Sequence, residues 1–395
     1  MALWKQQTYW DSPESTIGCR LTTVSRRFEA EGYVPECLEA GVSSPPLITS
    51  EQGIIVKVRS SLLVYLLVVL SAFLVSLSFQ PALAWAEGFG PFPVRNFQSI
   101  QQLVLSMPGD RAAVLKKGVL DVRVELAETA SIFRDQGPQA TVAMKFETLR
   151  SGVFLRYGAT ERWELSVEVP VLYRYRGFMD GPIQAVERAT TGLSPARNAL
   201  GRSPYVFTIS RGGRTVASGR EGAVGLGDST VLSKYQMMPE TASMPALSVR
   251  MALKLPTGYE RQFFGSGSPD VGFGLAAEKG FGGRWVVYGN LNGVVPTGRI
   301  AGLSLQPTIS GIVAVEYLWS ENLSITMQFD YYSTPFHDVG TRVLDKGVTE
   351  SAVGFSYRLT QHLLWQGYGI ENLDFITGSA ADFTLSTLLT YRSDS

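Results

Sequence analysis

The chain has 395 residues, with 35 basic and 35 acidic side chains, 18% charged, 11% aromatic and 40 glycines. Balanced charge leaves no electrostatic footprint for nucleic acid or for an anionic membrane surface. Apolar residues make up 45%, yet there is one long apolar run, which excludes a polytopic helical membrane protein and leaves a large soluble β protein or a transmembrane barrel.

Residues 1–55 hold both cysteines, Cys19 and Cys37, with mixed charge and no clear periodicity. They fit nothing that normally precedes a leader, and they read as an over-extended gene start or a disordered extension. Residues 56–86 read as a secretory signal peptide. Lys57 and Arg59 come first, the apolar run follows, and Ala82-Leu83-Ala84 and Ala84-Trp85-Ala86 end it in overlapping cleavage patterns. A retained anchor is the alternative. The expected mature chain, 87–395, starts near Glu87 and carries no cysteine, so it needs no disulfide in an oxidising envelope.

From there the pattern is period two. In "LDVRVELA", Leu120, Val122, Val124 and Leu126 alternate with Asp121, Arg123 and Glu125, the mark of a strand with one oily and one charged face. Between Thr141 and Tyr157 the parity slips: Val142, Met144 and Phe146 share one face, whereas Leu149, Val153, Leu155 and Tyr157 use the other. A bulge near Thr148, or a short hairpin before a strand over 147–157, is expected there. "WELSVEVPVLYRYR" sets Trp163, Leu165, Val167, Val169, Val171, Tyr173 and Tyr175 against Glu164, Ser166, Glu168, Arg174 and Arg176. Pro170 lies within that strand, which requires a position where its missing N–H is not needed. Residues 246–255 set Leu247, Val249, Met251 and Leu253 against Arg250 and Lys254. Similar alternation runs through 309–319 and 323–332, placing Glu316 and Asp330 on the polar side, and Arg358 joins them from a later strand. "HLLWQGYGI" leaves its apolar face undecided. The last strand sets Phe383, Leu385, Leu389 and Tyr391 opposite Thr384, Ser386 and Thr390.

About twelve strands result, and their connections sort by length. Short links recur at 158–162, 239–245, 280–284, 320–322 and 360–362; long ones alternate with them at 177–227, 256–269, 296–306, 333–348 and 371–380. A transmembrane barrel has this asymmetry, with short periplasmic turns and longer outer loops. The four tryptophans after residue 86, Trp163, Trp285, Trp319 and Trp365, all lie at or near short links. Tyr173, Tyr175, Tyr331 and Tyr332 end strands entering long links. Two aromatic belts are thus expected at the membrane interfaces. The fold class is all-β: an antiparallel up-and-down transmembrane barrel, preceded by a signal peptide. Its oily faces meet lipid and its charged faces an enclosed lumen, into which the link 177–227 is long enough to fold.

At "EGFGPFPVRNFQSI", 87–100, the chain resembles a family of bacterial outer-membrane proteins known as a domain of unknown function, DUF3187. The resemblance continues at "GLGDSTVLSKYQ", "LKLPTG", "GSGSPDVGFGL" and "FDYYSTPF", and it spans essentially 87–391. It implies an outer-membrane barrel and carries over no catalytic residue.

Candidate chemistry is sparse. His337, with Asp338 and Ser333 nearby, loosely echoes a hydrolytic constellation, but no serine has a nucleophile context, and a solvated loop histidine is the better account. His362 falls at a short link. No ligand spacing for a metal is present; Asp180, Asp338, Asp345 and Asp374 read as solvated loop carboxylates. "GSGS" at Gly265 lacks the lysine and following helix of a phosphate loop. The candidate lumen lining is Asp121, Arg123, Glu125, Glu164, Glu168, Arg174, Arg250, Lys254, Glu316, Asp330 and Arg358, mixed in sign. It serves either as a pore lining or as salt-bridged filler. The girdle comprises Trp163, Trp285, Trp319, Trp365, Tyr173 and Tyr331. Together these features point to a non-enzymatic, porin-like channel in the outer membrane for small polar solutes, with no cofactor. Lipid and the barrel-assembly machinery are the implied partners. The alternatives are a closed surface-interaction barrel and a membrane-embedded lipid hydrolase.

Overall fold

The barrel closes between its first and last strands: β1 (Leu120–Gln136) runs antiparallel to β17 (Phe383–Arg392), with Val122 opposite Tyr391 and Ala130 opposite Phe383. This computed structural model describes residues 87–190, 192–193, 195–200, 205–373 and 381–394. The expected extension over 1–55, the expected signal peptide over 56–86 and Asp374 lie outside the described residues.

From β1 the wall continues through β2 (Thr141–Gly158) and β3 (Trp163–Tyr175). The following link contains helices α1 (Asp180–Thr190) and α2 (Pro195–Leu200), then strands β4 (Val206–Arg211), β5 (Arg214–Ser218) and β6 (Ala223–Leu226). The wall resumes with β7 (Ser229–Met238), β8 (Ala246–Leu255), β9 (Asp270–Phe281) and β10 (Trp285–Pro296). A small hairpin, β11 (Arg299–Ile300) and β12 (Leu303–Ser304), precedes β13 (Thr308–Leu318) and β14 (Leu323–Tyr332). Helix α3 (Arg342–Asp345), β15 (Val348–Arg358) and β16 (Leu363–Asn372) lead back to β17. Every neighbouring pair is antiparallel, and twelve strands form the closed wall.

The wall is inside out relative to a water-soluble sheet. Val124, Val153, Leu165, Met251, Leu275, Leu291, Val313, Met327 and Leu385 are all exposed on its outer face, while Asp121, Glu125, Glu164, Arg250, Glu316 and Gln328 are buried on the inner one. An apolar surface this continuous belongs in hydrocarbon, where only a closed sheet leaves no unpaired backbone. The undecided strand is settled by its neighbours. Trp365 faces outward, and Gln366, Tyr368 and Ile370 are buried inside.

Two expectations need correction. No bulge interrupts β2: its register with β1 runs unbroken from Tyr157 opposite Leu120 to Thr141 opposite Gln136. Val142, Met144 and Phe146 stay on the inner face, but there they meet other apolar side chains instead of the polar lumen. The polarity changes because the hairpin leaves the lipid-clad part of the barrel. Tyr332 likewise points inward and is buried, so it is not part of an outer belt.

At Pro170 the pairing with β7 gives way to pairing with β6, and Gly227 N donates to the Pro170 carbonyl. On the other side Pro170 faces Gly152 of β2.

Candidate functional site: a plugged, charge-lined lumen

The lumen is filled by residues 87–119, not by the link 177–227. Within that link, α1 and α2 pack against the outer wall of the β1–β2 hairpin. Glu147 accepts from the amides of Phe178, Met179 and Asp180 at the start of α1, and Lys145 pairs with Asp180 at 3.3 Å. β4 and β5 extend the sheet from the end of β2, placing Phe207, Ile209 and Ala217 in an apolar cluster with Val142, Met144, Phe146, Phe336 and Leu344. That cluster caps the long-link mouth over the apex of the plug, contributed by Ile100, Leu103, Val104 and Leu105. The link therefore covers the barrel instead of entering it, because its inward-facing positions are apolar and match the cap.

The plug ascends from the short-link rim and returns to it. Near its start, Phe89 N and Gly90 N donate to the Glu316 carboxylate at 3.1–3.3 Å, which also accepts from Tyr288 OH at 2.6 Å. Phe92 and Gln328 exchange two bonds, at 2.9 and 3.1 Å. Arg95 reaches Glu168 at 2.8 Å. At the apex, Lys254 donates to the Leu103 carbonyl and bridges Asp228 and Asp270 at 3.2 and 2.7 Å. Descending, Arg250 donates to Pro108 O at 2.7 Å, Asp110 pairs with Lys234 and Arg156 at 3.0 and 3.2 Å, and Arg111 pairs with Glu278 at 2.6 Å. Leu115 N donates to Glu164 at 2.9 Å. Each tether uses at least one side chain. Backbone pairing with the wall begins at Gly118, which donates to Gly158 O.

The residues expected to line the lumen fall into distinct settings. Asp121 pairs with Arg392 across the closing seam, at 2.8 Å. Glu125 and Glu168 share Arg150, and Glu125 also accepts from Tyr368 OH. Glu164 is held by Arg156 and Lys234. Arg123 donates to Thr390 and lies over the Phe154 ring. Arg174 donates to the carbonyls of Gln262 and Phe263, and Asp330 is bonded by Gln328 and Tyr332. Arg358 is exposed at the short-link mouth, against the Phe89 ring. Arg150, Arg156, Lys234, Glu278 and Asp270 complete this network and were not singled out from the sequence. All five sit at inward parity in β2, β7 and β9, so alternation contained them. Arg95, Asp110 and Arg111 carry no periodic signal at all.

Of the aromatic residues, Trp163, Trp319, Trp365 and Tyr331 are exposed on the outer face. The indole N–H groups of Trp163 and Trp365 donate to Ser233 and Thr387, both at 2.8 Å. Trp285 packs on Tyr317 at 4.6 Å, and Tyr173 stacks on Tyr175 at 4.9 Å. His337 pairs with the adjacent Asp338 at 3.0 Å in an exposed loop, while the Ser333 hydroxyl accepts from Ile309 N. Asp180 is engaged by Arg197 and Lys145, and Asp345 accepts from Val339 N and Gly340 N.

Fold and lumen define a transmembrane β-barrel carrying its own internal plug. The chain belongs to the family described as Protein of unknown function (DUF3187), which it matches over residues 65–393. Among solved structures it is similar to the COG4313 outer membrane channel from Pseudomonas putida F1, with 15% identity over 73% of this chain and 100% of that one, and a TM-score of 0.50. It also matches the NanC porin (11% identity, 70% and 99% coverage, TM-score 0.39) and the KdgM porin (9%, 70% and 99%, 0.36). The chain matches no curated protein.

Proposed function

We propose that the protein is an outer-membrane channel for small polar solutes, held shut in this conformation by residues 87–119. The observation that carries this reading is the nature of the plug's attachment. A segment held by side-chain hydrogen bonds and ion pairs exchanges those contacts for water when it moves, whereas a strand of the wall cannot leave without exposing its backbone to lipid. The inner wall it covers is mostly hydrophilic and mixed in sign, as in water-filled barrels, with one apolar patch where Phe92, Val94 and Phe97 meet Ala352, Tyr368, Ile370 and Leu388. Asp121, Arg123, Glu125, Glu164, Glu168, Arg174, Arg250, Lys254, Glu316, Asp330 and Arg358 are then the lining of the opened lumen. Trp163, Trp285, Trp319 and Trp365 form one interfacial girdle and Tyr173 and Tyr331 the other, with short links in the periplasm. As such a barrel, the protein is a client of the barrel-assembly machinery.

A second reading, a permanently closed barrel, is favoured by the apolar cluster over the long-link mouth. Planar-bilayer recording separates the two. Protein extracted in detergent from cells expressing the full chain should show sparse openings, and a variant lacking residues 90–116 should conduct steadily. Silence from both proteins, with heat-modifiable migration showing that each is folded, defeats the channel.

A further inference from the structure

Helix α1 repeats, outside the barrel, the inversion that marks the wall. Its residues Pro182, Ala185, Val186 and Ala189 recur at i, i+3, i+4 and i+7, and all four are exposed. Val186 is 63% exposed, and Phe178, just before the helix, 66%. The opposite face carries Asp180, Gln184 and Glu187 together with Ile183, and it is turned to the protein. There Asp180 pairs with Lys145 at 3.3 Å, and the buried Arg197 holds both Asp180 and Glu187. A surface helix bathed in water has the reverse arrangement, with its apolar stripe inward and its carboxylates in solvent.

This helix lies where the lipid-facing band ends. Glu147, which accepts from the amides of Phe178, Met179 and Asp180, belongs to a row of paired outward positions. From Tyr175 the row passes through Glu147, Ala130, Phe383 and Glu371, crossing β3, β2, β1, β17 and β16. Two strands further it reaches Phe329, which is exposed on the lipid-facing wall. The helix begins beside Glu147 of β2, and its Glu187 is bound by the Arg197 that also pairs with Asp382, next to Phe383 of β17. The seven steps from Asp180 to Glu187 rise about 10 Å, which is two strand spacings. Helix α1 therefore lies across the strands, along that row. Lys145 and Glu147 point outward, yet both are buried beneath it.

We propose that α1 is an interfacial helix, with Phe178, Pro182, Ala185, Val186 and Ala189 seated in the acyl region of the membrane leaflet at the long-link rim. Continuity with the oily face of the wall identifies lipid as the occupant. Helices of this kind sink their apolar face about 5–10 Å into the boundary between headgroups and acyl chains. Arg188 is exposed on the flank of the stripe, where a long cationic side chain reaches lipid phosphate.

Electron paramagnetic resonance on the full chain tests this, with Cys19→Ser and Cys37→Ser removing the native thiols and a nitroxide attached at Val186→Cys. In vesicles of phosphatidylethanolamine and phosphatidylglycerol, relaxation by oxygen, which concentrates among acyl chains, is compared with relaxation by a water-soluble nickel chelate. The expected oxygen-to-chelate ratio is about tenfold higher than that of a label at Arg214→Cys, which is exposed on β5. A ratio equal to that at Arg214 overturns the proposal, because the stripe is then in water. Protection of the Val186 label from both reagents overturns it too, because protein then covers the helix. The inference requires a membrane-embedded barrel but not an open one. Silence in planar bilayers leaves it intact, and an α1 found in water leaves the channel intact.

Discussion

The β1–β2 hairpin crosses two media, and its two halves invert each other. Toward the short-link rim, Val124 and Val153 are exposed outside, while Glu125 and Arg150 pair inside at 2.6 Å. Beyond Ala127 and Leu149 the same faces continue, but the inside now holds Phe133, Met144 and Phe146, and the outside Glu128, Lys145 and Glu147. The backbone does not change; the surroundings do. One half is solvated by acyl chains outside and polar plug contacts inside. The other is a water-side structure with an apolar core, over which α1 and α2 pack. The crossover at Leu126–Glu128 and Leu149–Glu147 marks where the lipid-facing band ends.

The largest effects should come from exchanging inward residues between the halves. Arg150→Met leaves Glu125 and Glu168 short of their shared partner, and Met144→Arg puts an unpaired charge in the cap. Each should cost about 3–5 kcal/mol, read by denaturant unfolding in detergent. If Met144→Arg is neutral, the cap is not a dry core. On the outer face, Val153→Arg should cost about 2–4 kcal/mol, as charges do at mid-bilayer. Ala143→Arg, on the same face of the same strand, should stay within about 0.5 kcal/mol. Equal costs at the two sites would erase the boundary drawn here.

The smallest effect concerns pH and is confined to the cap. Arg197 is buried and holds Asp180, Glu187 and Asp382 together, Glu187 at 3.0 Å. Burial lifts the Asp382 carboxyl from 3.8 to about 6 against the pull of Arg197, and Glu187 and Asp180 add to the lift. Because the folded state binds this proton more tightly than the unfolded chain, its contribution to cap stability is complete below pH 3.8 and is lost as pH rises through about 6. Hydrogen exchange over 180–200, corrected for intrinsic rates, should therefore show more protection at pH 5 than at pH 7.5. Asp382→Asn should flatten that dependence, and unchanged protection in the unaltered protein would remove Asp382 from the account.

Much of the wall was legible because strand periodicity is local. Leu120 to Leu126, or Leu323 to Tyr331, declare one face each without reference to the rest of the chain. The slip at Val142–Phe146 misled because apolar was equated with outward. That holds only inside the bilayer, and nothing in β2 states where the bilayer stops. The plug was invisible for a different reason. Residues 87–119 include Pro91, Pro93 and Pro108 and have no period, and segments of that kind normally run over a surface. Arg95, Asp110 and Arg111 acquire meaning from Glu168, Lys234 and Glu278, which lie far away in sequence.

Alternation, link lengths and aromatic placement by themselves determined that this chain forms a barrel, how many strands it has and which faces are oily, since each depends on near neighbours and on transfer to one medium or another. Tertiary structure alone decided what occupies the lumen, which carboxylate each arginine meets and which arginine meets none. Those outcomes depend on closure of the sheet, which brings residues more than a hundred positions apart within hydrogen-bond range.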